Sequence, residues 1–239
     1  MTTLTFKDLT LSVQHSAKRR TIGITIDRDG QLIISAPVGI SLDILRQAVE
    51  KQSLWIYRHL LRKEALNPKI VEKEYVTGEG FYYLGRSYRL KLVDEELVHP
   101  TLKLHQGRFY LQRSAQTQGR EQFIDWYRNR LKPYLVTKID SLTDRIGAKP
   151  RSIQVRELNN RWGSCNQQGD LYFHWRVAML PPNAIEYVVV HEMVHLIEHQ
   201  HSQEFWSRVE RVLPNYRELK EWLATDGCNY GLSETAKLG

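Results

Sequence analysis

The 239-residue chain is poor in cysteine, with only Cys165 and Cys228. Two cysteines do not make a disulfide framework, so an apolar core must hold the fold, and a reducing cytoplasm suits this usage best. No apolar run approaches the roughly 18 residues of a membrane-spanning helix, so no membrane partner is expected. The start, Met1-Thr2-Thr3-Leu4-Thr5-Phe6-Lys7, lacks the basic and apolar segments of a signal peptide. There is no Gly-x-x-x-x-Gly-Lys-Ser/Thr loop to cradle phosphates. No internal repeat and no low-complexity tract is visible.

What is present is ordinary for a folded protein. Hydrophobic residues make up 41% of the chain, enough for one large or two small domains. The formal charge of +7 permits a nucleic-acid or acidic partner. However, Arg19, Arg20, Arg128, Arg130, Lys132, Arg208 and Arg211 are spread out, as a solubilising surface would have them.

Residues 4–14 and 20–36 alternate polar and apolar with a period of two, as in Ile22, Ile24 and Ile26, and Asp29-Gly30 signals a hairpin. Ser41 opens a helix to about Leu66 with an apolar stripe through Leu45, Val49 and Leu60. A loop over 67–77 leads to strands at 80–93 and 101–112, the second with a turn at Gln106-Gly107. The polar, glycine-containing stretch 116–120 predicts a boundary between an N-terminal mixed β/α region, 1–117, and a second domain, 118–239. A helix over 120–146 follows, with Pro133 expected to kink or divide it and Gly147 to stop it. Short strands at 152–157 and 171–175, then helices, complete an α+β chain whose strands are concentrated toward the N-terminus.

Residues 191–201 read His-Glu-Met-Val-His-Leu-Ile-Glu-His-Gln-His and contain H-E-x-x-H. On a helix, His191 and His195 share one face about 6 Å apart, so both imidazoles reach one metal ion. Glu192 stands where a carboxylate takes a proton from a metal-bound water, the chemistry of zinc-dependent amide hydrolysis. The preceding run, Ala184 to Val190, is mostly apolar and follows Pro181-Pro182-Asn183, which are helix-start signals. Such a helix is buried. Two histidines and a glutamate there cost on the order of several kcal/mol unless something pairs them.

Catalytic zinc takes three protein ligands. His199 lies about 12 Å from His191 along a continuous helix, too far to share its ion. His201 can ligate only if the chain leaves the helix near 198–200. Ser202, which looks like the N-cap of a helix from 203 to about 213, supports that break. A downstream carboxylate, Glu204 or Glu210, is the rival third ligand.

Arg161-Trp162-Gly163-Ser164-Cys165 lies between two expected strands, with Trp162 read as a core aromatic, Gly163 as a turn and Cys165 as an inert thiol. Asn159, Asn160 and Arg161 are candidates for binding substrate, and Tyr172 and Tyr187 for stabilising an oxyanion. His174 reads as a packed histidine, and Phe205 and Trp206 as residues packed beneath the metal helix.

The stretch from Arg161 to Trp206 resembles the YgjP-like metallopeptidases, within the wider zincin group. The matching pieces are Arg161-Trp162-Gly163-Ser164-Cys165, Trp175-Arg176, Pro181, Tyr187-Val188-Val189-Val190-His191-Glu192-Met193-Val194-His195 and His201-Ser202-x-x-Phe205-Trp206. Lys18-Arg19-Arg20 and Gly78-Glu79-x-x-x-Tyr83-Leu84-Gly85-Arg86-x-Tyr88 extend the likeness over nearly the whole chain. The resemblance implies a zincin-like domain with a buried HExxH helix. It also implies one zinc ion bound by His191, His195 and His201, Glu192 as general base, a zinc-bound water as nucleophile and a peptide or protein substrate. The histidine spacing is also that of the metzincins, which carry Gly where this chain has Glu198. In zincins a sheet flanks the metal helix, and its edge strand can pair with an extended peptide.

Two other readings use the same residues. One keeps the metal but makes the substrate a nucleotide phosphoanhydride. The other is a non-enzymatic module that retains the metal site and docks nucleic acid or an acidic protein through its basic surface.

Overall fold

The computed structural model describes residues 2–17, 19–26, 31–66, 73–94, 100–158 and 161–232. The Asp29-Gly30 turn, Asn159 and Asn160 lie outside them. Two compact units divide the chain, Met1–Lys69 and Ile70–Gly239. Among the described residues no helix is long and apolar enough to cross a membrane.

In the first unit, β1 (Thr2–Phe6), β2 (Leu9–His15), β3 (Gly23–Ile26) and β4 (Leu32–Ala36) precede α1 (Leu42–Leu66). The sheet order is β1-β2-β4-β3, with β2 and β4 parallel and both outer pairs antiparallel. The period-two pattern buries Leu9, Leu11 and Val13 of β2 and Leu32, Ile34 and Ala36 of β4. Leu45, Val49 and Ile56 of α1 join them in one core.

The second unit opens with the same wiring. β5 (Gly80–Tyr83), β6 (Arg86–Val93), β7 (Leu102–His105) and β8 (Arg108–Gln112) precede α2 (Gly119–Ile146). Their order is β5-β6-β8-β7, again with a parallel central pair and antiparallel outer pairs. The expectation of no internal repeat is therefore corrected at the level of topology. A four-strand-plus-helix unit occurs twice, preserved in strand pairing rather than in residue identity.

The units part after Lys69, whereas the polar stretch at 116–120 had suggested 117/118. Phe81 stacks on Phe123 at 3.9 Å, Phe109 meets Trp126 edge-on at 4.9 Å, and the Tyr127 hydroxyl donates to the Tyr82 carbonyl at 2.7 Å. One core thus runs across that position. Gly119 reads as a linker glycine but serves packing, since a Cβ there would lie 2.3 Å from Tyr75 Cγ. Pro133 does not divide α2, because it sits on the exposed face where water can satisfy the carbonyl freed by its missing N–H. Gly147 caps the helix with a left-handed φ of 82°, as expected.

A three-stranded sheet of order β10-β11-β9 follows, formed by β9 (Ser152–Arg156), β10 (Gly163–Cys165) and β11 (Asp170–His174). β10 is antiparallel to β11 and lies at the sheet edge. Three helices end the fold: α3 (Pro182–Val194), α4 (Gln203–Val212) and α5 (Tyr216–Thr225). The β5–β6 turn pins the approach to α3, with Leu84 N–H donating to Ala178 O and Gly85 N–H to Met179 O, both at 2.9 Å. The mixed sheets and packed helices match the α+β expectation.

The β10–β11 turn is held by one carboxylate. Asp170 is 4% exposed and accepts from Arg151 Nε at 2.8 Å, Ser152 Oγ at 2.8 Å and Asn166 Nδ2 at 3.0 Å. Asn166 Oδ1 in turn accepts from the Asp170 and Gln168 N–H groups. The bonds from Arg151, Asn166 and Ser152 hold the Asp170 carboxyl well below its ordinary range. Because its folded pKa is depressed, its contribution is fully present above the unfolded value of about 3.9 and is lost as pH falls below that. Asp170→Asn should therefore melt below the wild type at pH 7, with the gap closing toward pH 2. Parallel Tm curves across that range would contradict the assignment.

Candidate metal centre and its cleft

Pro182 occupies the first turn of α3, where its missing N–H costs nothing. The residues after it, from Ala184 to Val194, are buried except Glu186 and His191. Helical spacing puts His191 in the last turn and His195 at the C-cap. The helix then tightens: Leu196 N–H donates to Met193 O and Ile197 N–H to Val194 O, both at 3.0 Å. The chain turns back to Ser202, whose side chain accepts from Phe205 N–H and caps α4, as the sequence led us to expect.

This corner brings His201 against the other two histidines. Its Nε2 lies 3.0 Å from His191 Nε2 and 3.1 Å from His195 Nε2. Among the described residues these three histidines are the group whose donor atoms could hold a metal, all within 4.8 Å of one another. Tetrahedral ligands at a metal–nitrogen distance of about 2.0–2.1 Å sit roughly 3.4 Å apart, a spacing bracketed by the trio's separations of 3.0 Å to at most 4.8 Å. His195 Nδ1 is 2.9 Å from the Glu198 carbonyl, which can only accept, so the proton sits on Nδ1 and the Nε2 lone pair faces the centre. Burial, then His195, His201 and Lys220, depress His191 to about 3. Burial likewise lowers His195 and His201. All three are neutral at physiological pH, the state metal ligation requires. The donor set fits one divalent ion.

Glu198 occupies the metzincin glycine position without strain. It is not among the left-handed non-glycine residues, which are Lys7, Tyr75, Leu84 and Gln106 among those described. Its side chain instead lies 3.6 Å from Arg208 Nε, which also meets Glu204 at 3.4 Å, tying the corner to α4. The rival carboxylates are engaged elsewhere, Glu204 with Arg208 and Glu210 with Arg217 at 3.3 Å. Phe205, fully buried, floors the cluster with ring centroids 5.0, 4.5 and 4.8 Å from His191, His195 and His201. Trp206 stacks on His201 at 5.5 Å.

Glu192 points toward β10 and is 7% exposed. Burial pushes its carboxyl up to about 8, with Arg161 pulling the other way. A Cβ on Gly163 would lie 2.6–2.8 Å from Glu192 Cγ, Oε1 and Cδ. Only glycine lets the β10 backbone pass this close, which corrects its reading as a turn residue.

Between β10 and α3 lies a cleft of about 750 Å³. Its walls include Arg161, Tyr187, Glu192 and the three histidines, with Trp162 and Leu223 as apolar surface. Trp162 is thus a partly buried wall residue rather than a core aromatic. Tyr172 lies outside the walls, its hydroxyl accepting from Asn166 at 3.2 Å and its ring 3.8 Å from the Arg156 guanidinium carbon. His199 lines the cleft outside the three-nitrogen cluster. Burial, then Glu192 and Asp170, raise the Cys165 thiol to about 11, so it stays protonated and unreactive near neutrality. His174 is packed as expected, 2.6 Å from Glu157 and accepting from Arg176 N–H. Burial raises the Glu157 carboxyl, but bonds from His174 and Trp175 outweigh it and bring the value to about 2. The sequence missed the Glu192–Gly163 contact and Leu223, which lies far along the chain. A glycine inside a strand was the available signal for the first.

A family model described as YgjP-like, metallopeptidase domain, matches residues 20–226. No curated protein showed significant similarity. Among solved structures, the metallopeptidase zymogen of Pyrococcus abyssi abylysin is similar at 23% identity over 38% of this chain and 92% of that one. The TM-score of that match is 0.36.

The aromatic floor should matter more to stability than the ion-pair clamp. Phe205→Ala should cost about 3–5 kcal/mol in denaturant unfolding. Glu198→Ala, removing a one-third-exposed pair, should cost less than about 1 kcal/mol. The reverse order would show that the clamp, not the floor, holds the corner.

Proposed function

The chain belongs to the YgjP-like metallopeptidase family, and on that footing we propose that it is a zinc-dependent peptidase with one ion held by His191, His195 and His201. The observation that carries this reading is the convergence of three imidazole nitrogens next to a buried carboxylate at an open cleft. Three neutral imidazoles with no thiolate suit zinc. When bound, the ion supplies a water acidified to a pKa of about 7 and polarises the scissile carbonyl.

The chain's own groups do the rest. Glu192 takes the proton of the attacking water and returns it to the leaving amine. Burial favours its protonated form, and a dication held by the neighbouring histidines would favour the carboxylate that a base must be. His195 is held in the ligating tautomer by the Glu198 carbonyl. The Tyr187 hydroxyl, kept protonated by burial, remains a hydrogen-bond donor at the cleft wall. Among the described residues β10 pairs only with β11, so its outer edge can take an extended peptide by strand addition. The free Cys165 accords with a reducing, cytoplasmic setting.

Glu192→Gln should keep about one zinc per chain by elemental analysis while kcat falls about 10²- to 10⁴-fold on a peptide substrate. His191→Ala should lose both metal and activity. A fully active Glu192→Gln enzyme would remove Glu192 as the base.

A further inference from the structure

We propose, on the peptidase reading, that Arg161 determines specificity by binding a substrate carboxylate about two residues from the scissile bond. Among the described residues, two charged side chains other than histidines line the cleft, Arg161 and Glu192. Glu192 is buried, so the charge open to an incoming chain is the exposed Arg161 guanidinium. Other arginines near this sheet are committed: Arg151 to Asp170, Arg156 to the Tyr172 ring and Arg176 to the Leu232 carbonyl. Among the described residues, no carboxylate forms an ion pair with Arg161.

Chain connectivity locates the guanidinium. Arg161 lines the cleft two residues before β10 begins, with a bend at Trp162 between them. Gly163, the first residue of β10, abuts Glu192, and the Arg161 charge reaches the Glu192 carboxylate. The Arg161 backbone therefore lies no more than about 7 Å from the point opposite the catalytic carboxylate. A peptide paired with β10 presents a side chain, or its own terminus, at that distance from the bond being cut. A guanidinium there grips a carboxylate through paired N–H bonds. The carboxylate is either an acidic side chain or a free C-terminus.

The test uses zinc-loaded enzyme and a decapeptide pool randomised over Ala, Leu, Ser, Glu and Gln, prepared with free and with amidated C-termini. Cleavage products are read by mass spectrometry. Wild type should favour a carboxylate near the cut about tenfold over its amide counterpart, about 1.4 kcal/mol. Preference for internal Glu over Gln identifies the side chain, and preference for free over amidated ends identifies the terminus. Arg161→Gln should abolish the preference through KM with little change in kcat or Tm, and added salt should shrink it in wild type. Cuts blind to both carboxylates would overturn the proposal. So would an Arg161→Gln variant that shifts only the pH profile of Glu192 or lowers all cleavage equally, since those mark tuning of the base. A zinc-loaded wild type that cuts nothing would overturn the peptidase reading itself, and this inference with it.

Discussion

Burial of Glu192 is the constraint around which the second unit is arranged. An isolated carboxylate inside an apolar helix layer is costly, and the shift of its pKa to about 8 expresses that cost. The arrangement persists because each neighbouring element accommodates it. β10 presents glycine, so its backbone can pass over the carboxylate. The Asp170 network fixes the turn that delivers β10 to that place. The β5–β6 turn fixes the start of α3, and Phe205 fixes its end.

The same economy governs the histidines. The His201 ring nitrogen lies about 3 Å from those of both His191 and His195, and it has at most one proton to share between the two. A cation shared by the three would resolve that conflict and would also favour the ionised form of Glu192. The corner that makes the cluster uses no glycine. A shortened α3, a tightened last turn and a side-chain tie from Glu198 to Arg208 do the work instead.

Much of this was legible in the sequence where the signal is local. The apolar stripe gave α1, a continuous apolar run gave α3, the proline and serine signals gave the starts of α3 and α4, and the His-Glu spacing gave the helix face that carries the histidines. Signals that depend on distant contacts were not legible. Gly119 and Gly163 look alike as residues, yet one admits Tyr75 and the other Glu192. β10 is three residues of weak strand propensity, visible only through its partner β11. The repeated wiring of the two units lies in which strands pair, and pairing leaves no mark in residue identity.

X-ray absorption at the zinc edge, on wild-type protein loaded with one equivalent, reads the ligand set of the three-histidine site. Three imidazole nitrogens and one light oxygen ligand at about 2.0–2.1 Å are expected of it. A shell containing sulfur, or only two imidazoles with a protein carboxylate completing it, would contradict that ligand set.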